Sequence, residues 1–232
     1  MPKEKDYSLV IPVYNEEGSL EPLWGEILQA MTPLCCAYEI VFVNDGSTDS
    51  SPALLKKFEG QLPEVVRVID LFPRGGQTRA LRQGLDAAQG SVVITLDADL
   101  QNDPADIPQI LEKMKEGYDC VCGWRKNRQD TPLKAGLSKV GNILQRWLTG
   151  MTIHDVSCTL RAYRKESVGK IPLRWEGQHR FIPLSLSLQG CKVGEIVSHH
   201  RKRSFGHTKY SHKRIFKVIL DFFRVLRARG RR

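Results

Sequence analysis

The chain has 232 residues, 41% of them apolar, and a formal net charge of +9, which suits one large domain or two small ones with a real core. It contains no run of the roughly 18 apolar residues that a bilayer span needs, and its polar opening, MPKEKDYS, lacks the form of a signal peptide. The charge is uneven, +11 over residues 201–232 and −2 over the remainder, so the basic end asks for an anionic partner: phosphate, nucleic acid or a membrane surface. The six cysteines follow neither zinc nor disulfide spacing and read as reduced, mostly buried thiols of a cytosolic protein.

Ser8–Val13 (SLVIPV) reads as a first strand. Leu20, Leu23, Trp24, Ile27, Leu28 and Met31 then recur at helical spacing. Glu39–Val43 is a second strand, followed by a short helix near Pro52–Phe58, a third strand over Val65–Leu71, a helix over Gln77–Ala88 and a fourth strand over Ser91–Leu96. Pro104 and Pro108 open a helix through Lys115, and Tyr118–Gly123 is a fifth strand. A helix is predicted over Lys134–Leu148, a strand returning to the sheet over Ser157–Tyr163, a helix over Ile182–Leu188 and a strand over Val193–Val197. The last segment, Lys213–Arg229, sets Ile215, Val218, Ile219, Phe222, Val225 and Leu226 against Arg214, Lys217, Asp221 and Arg224 on the opposite side.

Strands alternating with helices imply βαβ units and a parallel α/β sheet. Runs such as IVFV and VVIT imply strands buried on both faces. Ligands bind such sheets at the carboxyl ends of the strands, and there the polar clusters fall: Tyr14-Asn15-Glu16, Asn44-Asp45, Asp97-Ala98-Asp99 and Arg125. An Asp-x-Asp pair is a weak signal alone, but at a buried strand end its carboxylates repel unless a cation joins them. With Gln101 nearby the ligands are all oxygen, which suits Mg²⁺ or Mn²⁺ better than Zn²⁺. Asn102 and Asp103 are read instead as caps of the helix that opens at Pro104. No phosphate-binding Gly-x-x-x-x-Gly-Lys-Ser/Thr loop is present, and no Gly-x-Gly-x-x-Gly follows the first strand.

VIPVYNE (10–16), VNDGSTD (43–49), GQT (76–78) and LDADLQNDP (96–104), with WEGQHRFIP (175–183) and HRKRSFGHTKY (200–210), resemble glycosyltransferase family 2, in its dolichol-phosphate mannose synthase-like branch. The resemblance runs from about residue 7 to 223. It implies a GT-A fold, mostly parallel, with a C-terminal amphipathic helix: a catalytic domain over 1–210, then a basic helix and tail over 211–232. It also implies a nucleoside-diphosphate sugar donor, a divalent cation and a polyprenyl-phosphate acceptor, with mannose as the first candidate sugar. Carried over by position, Pro12, Tyr14, Glu16, Asp45 and Gln77 hold the nucleotide sugar. Asp97, Asp99 and Gln101 hold the metal and donor diphosphate. Arg125, Lys134, Ser138, Arg203, Thr208 and Lys209 hold the acceptor phosphate. Asp97, Asp99 and Arg125 form the catalytic set. The chain departs from relatives at Arg74-Gly75-Gly76, where Asn-aromatic-Gly is frequent, and at Lys134, where Arg is usual and grips a phosphate through two parallel bonds.

A lipid phosphate is already ionised, with a second pKa of roughly 6, so it needs cations, not a base. Arg201 and Lys202 are further candidates. If the acceptor is a hydroxyl, which does need a base, Asp155 is the candidate; its other reading is a loop Asp that caps local backbone. His179 and Arg180 are the other residues expected to touch substrate. The basic amphipathic end implies a membrane surface, a peripheral location on the cytosolic face, and a partner subunit as a candidate anchor. The rival classes are a family 2 transferase with a hydroxyl acceptor and a nucleic-acid-binding module. The latter lacks aromatic platforms interleaved with its basic residues, so no nucleic-acid partner is expected.

Overall fold

A computed structural model describes residues 4–126, 153–202 and 213–228. The expected alternation is present: β1 (Tyr7–Val13), α1 (Glu17–Met31), β2 (Tyr38–Asn44), α2 (Ser51–Gln61), β3 (Val66–Asp70), α3 (Gln77–Ala87), β4 (Val92–Thr95), α4 (Ile107–Lys115), β5 (Cys120–Trp124), β6 (Arg161–Arg164) and β7 (Val193–Val197). Short helices at Lys165–Val168 and Ile182–Ser187, a long one at Lys213–Ala228 and 3₁₀ turns at Thr32–Leu34, Pro104–Asp106 and Gln178–Phe181 complete the described elements. The strands form one sheet in the order β3-β2-β1-β4-β6-β5-β7. β6 runs antiparallel to β4 and β5, and the other pairings are parallel.

Strand parity divides the core into two layers. Leu9, Ile11, Ile40, Phe42 and Ile94 face α1, α2 and α4 through Leu23, Ile27, Phe58 and Ile110. Val10, Val41, Val43 and Val93 face α3 and the Ile182–Ser187 helix through Ala80, Leu81, Leu85 and Ile182. This is why the central strands read as unbroken apolar runs. Trp24 of α1 stacks on Phe58 of α2, with ring centroids 4.8 Å apart. The six cysteines are free, and Cys120, Cys122, Cys158 and Cys191 are buried.

Two expectations change. The return strand starts at Arg161, not Ser157, because Ser157 is occupied in a turn with Asp155. Part of the apolar stripe of the last helix is covered: Phe222 and Val225 pack against Ile153, Val156, Phe181 and Leu184. The helix predicted over Lys134–Leu148 lies outside the described residues. Among the described residues no helix is long and apolar enough to cross a membrane.

Gly84 sets how closely α3 approaches the sheet. A Cβ there would stand 2.3 Å from Val10 Cγ1 and 3.1 Å from Val43 Cγ2, both wholly buried. Gly84→Ala gains about 1 kcal/mol of helix propensity but forces the helix off β1. The clash should dominate, with a net loss of roughly 1–2 kcal/mol, read as a lower urea midpoint at unchanged slope.

Candidate active site

Four parallel strands bring their carboxyl ends to one edge of the sheet. β1 pairs with β4 only as far as Val10 with Thr95. Pro12 lies two residues on, facing the side where β4 has already turned away, so its missing N–H breaks no ladder bond. The divergence opens a cleft lined by Pro12, Gln77, Asp97, Thr159, Arg161 and His179. The loops after β1 and β2 are stitched together by Asn15 and Thr48: Asn15 Nδ2 donates to Thr48 Oγ1 at 3.2 Å, and Thr48 N donates to Asn15 Oδ1 at 2.8 Å. Tyr14 carries the Arg74 guanidinium 3.6 Å above its ring centroid. Glu16 turns into the first turn of α1 and accepts from the Ser19 hydroxyl at 3.1 Å.

Asp45, expected beside the nucleoside, is buried and shapes the loop after β3. Its oxygens accept from Gly75 N at 2.7 Å and Gly76 N at 2.9 Å. Gly76 has φ +89, and a Cβ there would come within 2.7 Å of Glu176 Oε2. Only glycine satisfies both conditions. Glu176, distant in sequence, accepts from Thr78 N at 3.0 Å and so supplies a carboxylate to the positive end of α3. Thr78 Oγ1 accepts from Gly177 N at 2.9 Å and meets His179 Nδ1 at 2.6 Å.

With its start fixed from both sides, α3 aims Gln77 at the Asp-x-Asp pair: Gln77 Nε2 donates to Asp97 Oδ1 at 2.9 Å. Asp97 is partly buried and Asp99 buried. The Asp97 carboxyl is pushed up to about 6, first by burial and then by the charge of Asp99, against the Thr159 hydroxyl, Arg161 and Arg125, which favour its anion. A site that resists holding two negative charges is chemically matched to a hard divalent cation. Asp97 and Asp99 can supply two oxygens, and such ions complete their shell with water and substrate phosphate. Among the described residues there is no cluster of three or more His, Cys, Asp or Glu able to hold a metal by itself. Gln101 is placed beside the pair by its backbone, which donates to Asp99 Oδ1 at 3.2 Å.

Arg125 follows β5 and is spent on an internal pair. Nε and Nη2 reach Asp155 Oδ2 and Oδ1 at 2.7 and 3.0 Å, and Nη2 also reaches Ser157 Oγ at 2.9 Å. The pair is largely dry, with side-chain exposures of 12% and 3%. Asp155 is thus the counter-ion that orients Arg125, and the base role considered for it has no geometric support. Arg201 does not present its guanidinium to an acceptor: it grips Glu26 and Asp103. Asp103 caps the turn at Pro104–Asp106 as expected, accepting from Ala105 N. Asn102 does not cap; it is buried and donates to Thr159 Oγ1 at 2.8 Å. His179 lines the cleft, whereas Arg180 lies by Gly177 with Asp221 of the last helix. Lys134, Ser138, Arg203, Thr208 and Lys209 lie outside the described residues.

The sequence reading missed Arg161, Thr159 and Glu176. Arg161 is 2% exposed, and it donates to His179 O and Val156 O, each at 2.9 Å. Its signal was parity: in LRAYR a charged side chain alternates with Leu160 and Ala162 on a strand buried on both faces. Glu176 left no local signal, since its partner is on another element.

A family model for glycosyl transferase family 2 matches residues 8–171. The chain is 37% identical over 225 residues to the dodecaprenyl-phosphate galacturonate synthase of Rhizobium johnstonii, covering 95% of this chain and 66% of that protein. It is 39% identical over 217 residues to the undecaprenyl-phosphate 4-deoxy-4-formamido-L-arabinose transferase of Salmonella choleraesuis, covering 94% and 66%. The chain therefore spans just under two thirds of these relatives' length. Among solved structures, the glucosyl-3-phosphoglycerate synthase of Mycobacterium tuberculosis with Mn²⁺, UDP and phosphoglyceric acid superposes with a TM-score of 0.67 at 18% identity, covering 97% of this chain and 78% of that one. That likeness shows a shared fold.

The Asp97 shift makes a prediction about stability. Between its ordinary value of 3.8 and about 6 the unfolded chain has lost this proton while the folded chain keeps it. The cost of ionising Asp97 therefore grows as pH rises through that window and is full above it, at about 3 kcal/mol or less. Without metal, Asp97→Asn should melt several degrees above the unsubstituted protein at pH 7.5. The gap should shrink as pH falls below about 6, and Mn²⁺ should narrow it at pH 7.5 by stabilising only the protein with both carboxylates.

Proposed function

From the premise that the chain belongs to glycosyl transferase family 2, we propose that it transfers a sugar, with inversion, from a nucleoside diphosphate to the phosphate of a polyprenyl lipid. The observation that carries this is the pair Asp97–Asp99 at the tip of β4, with its shifted carboxyl and its ring of Gln77, Arg161 and Arg125. Asp97 and Asp99 would hold Mg²⁺ or Mn²⁺, which when bound stabilises the charge that builds on a departing diphosphate. The chain's own groups do the rest. Gln77 orients Asp97. Tyr14 and the Asp45-held glycine turn form the nucleoside end of the cleft. Arg125, held by Asp155 at the β5 exit, would reach an acceptor phosphate only by giving up part of that pair.

The acceptor class rests on the two curated relatives, whose names specify polyprenyl phosphates. Their sugars are galacturonate and a formamido-arabinose, so mannose gains no support from them and the donor must be found by assay. The membrane reading rests on Leu220 and Phe223, which are 60% and 51% exposed. They stand beside the exposed Arg224 and Arg227 on a helix whose other face is seated on the domain. An outward patch of this kind suits an anionic lipid interface.

Sugar transfer to a short polyprenyl phosphate should be measured with UDP-galacturonate, UDP-glucose, GDP-mannose and UDP-formamido-arabinose, each with Mn²⁺, Mg²⁺ or a chelator. One donor should give product that the chelator abolishes, and Asp99→Ala should lower the rate about a hundredfold or more. Donor binding with transfer only to a hydroxyl acceptor would replace the acceptor assigned above. A second expectation concerns the surface: Leu220→Ser with Phe223→Ser should reduce sedimentation with phosphatidylglycerol vesicles several-fold and lower the melting temperature only slightly, since both side chains are more than half exposed.

A further inference from the structure

Arg201 belongs by sequence to the basic run after β7, yet its bonds point into the protein. Nη1 meets both carboxylate oxygens of Glu26 on α1, at 2.7 and 2.9 Å. Nη2 meets Asp103 Oδ2 at 2.5 Å. Its backbone N–H donates to Gln101 O at 2.9 Å, and the preceding His200 forms an antiparallel bridge with Asn102. Residues 200–201 therefore run as a strap along Gln101–Asp103, the chain that leaves Asp99.

That chain needs bracing. Leu100, directly after Asp99, has φ +59, a left-handed conformation that residues with a Cβ avoid. Its neighbours are held on one side by Asn102 Nδ2 on Thr159 Oγ1 at 2.8 Å and on the other by Arg201. We propose that Arg201 is a positioning residue for the cation seat: by bracing the loop that leaves Asp99 against α1, it sets how tightly Asp97 and Asp99 hold a divalent cation. The inference rests on the reading above that these carboxylates take a cation.

Its sign separates it from simple electrostatics. Removing a positive charge near a cation seat should tighten cation binding if charge alone matters. If position matters, binding weakens, as it does when the groups that orient metal ligands are lost.

The test is binding of Mn²⁺, alone and with UDP, to the full chain, followed by the electron paramagnetic resonance signal of the free ion. Arg201→Gln should weaken binding about tenfold. Arg201→Lys, which keeps the charge but not the two-sided fork, should recover only part of the loss. Unchanged or tighter binding in Arg201→Gln overturns the inference, as does unchanged binding joined to a raised KM for the polyprenyl phosphate. If Arg201→Gln does not fold, Arg201→Lys decides, since it keeps the charge and loses the fork that spans Glu26 and Asp103: unchanged affinity overturns the inference. Failure of the unsubstituted protein to bind Mn²⁺ would instead sink the cation reading itself.

Discussion

Two carboxylates one residue apart at the tip of a buried strand repel each other and lose hydration together, and the rest of the candidate site is arranged around that cost. The raised Asp97 carboxyl is its direct expression. Part of the relief comes from the Thr159 hydroxyl, then from Arg161 and Arg125, and the Gln77 amide also donates to Asp97. The remainder is left standing, which is what a seat for a charged ligand requires: a fully neutralised pair would have little affinity left for a cation.

β6 is central to this arrangement. Inserted antiparallel between β4 and β5, it sets Arg161 opposite Thr95 and brings Thr159 under the cleft. A purely parallel sheet would have placed the next crossover there and kept a buried arginine away from the carboxylates. The same turn that starts β6 carries Asp155 and Ser157, which fix Arg125 at the neighbouring strand end. One change of direction therefore supplies both the interior cation beneath the cleft and the counter-ion of the arginine at its rim.

α3 is the second organising element. Its N-terminus is held by Asp45 through the glycine turn and by Glu176 from the far side of the cleft. Gly84 lets the helix sit close to β1. Gln77 can then be delivered to Asp97 with little freedom, because both the depth and the start of the helix are set by contacts outside it. The segment Glu176–Phe181 also touches the last helix, through Phe181 against Phe222 and Gly177 beside Asp221, so the seated face of that helix shares its support with the cleft.

Much of this was legible in the residues alone, for a physical reason. Strand and helix periods, the strand-end placement of Asn44-Asp45 and Asp97-Ala98-Asp99, and the basic end are all local patterns, and burial on both faces writes itself into a strand as an unbroken apolar run. The family motifs are equally local and named the site's first layer. What the chain order does not carry is which distant side chain takes which partner. Asp155 as the counter-ion of Arg125, Glu176 as the cap of α3, Asn102 on Thr159 and Arg201 on Glu26 each depend on the reach of two side chains brought together by the sheet. Sequence determined the α/β alternation and which residue types stand at the strand ends. Tertiary structure alone decided which charges face substrate and which are spent on each other, because a charge is assigned by what lies within a few ångströms of it in space.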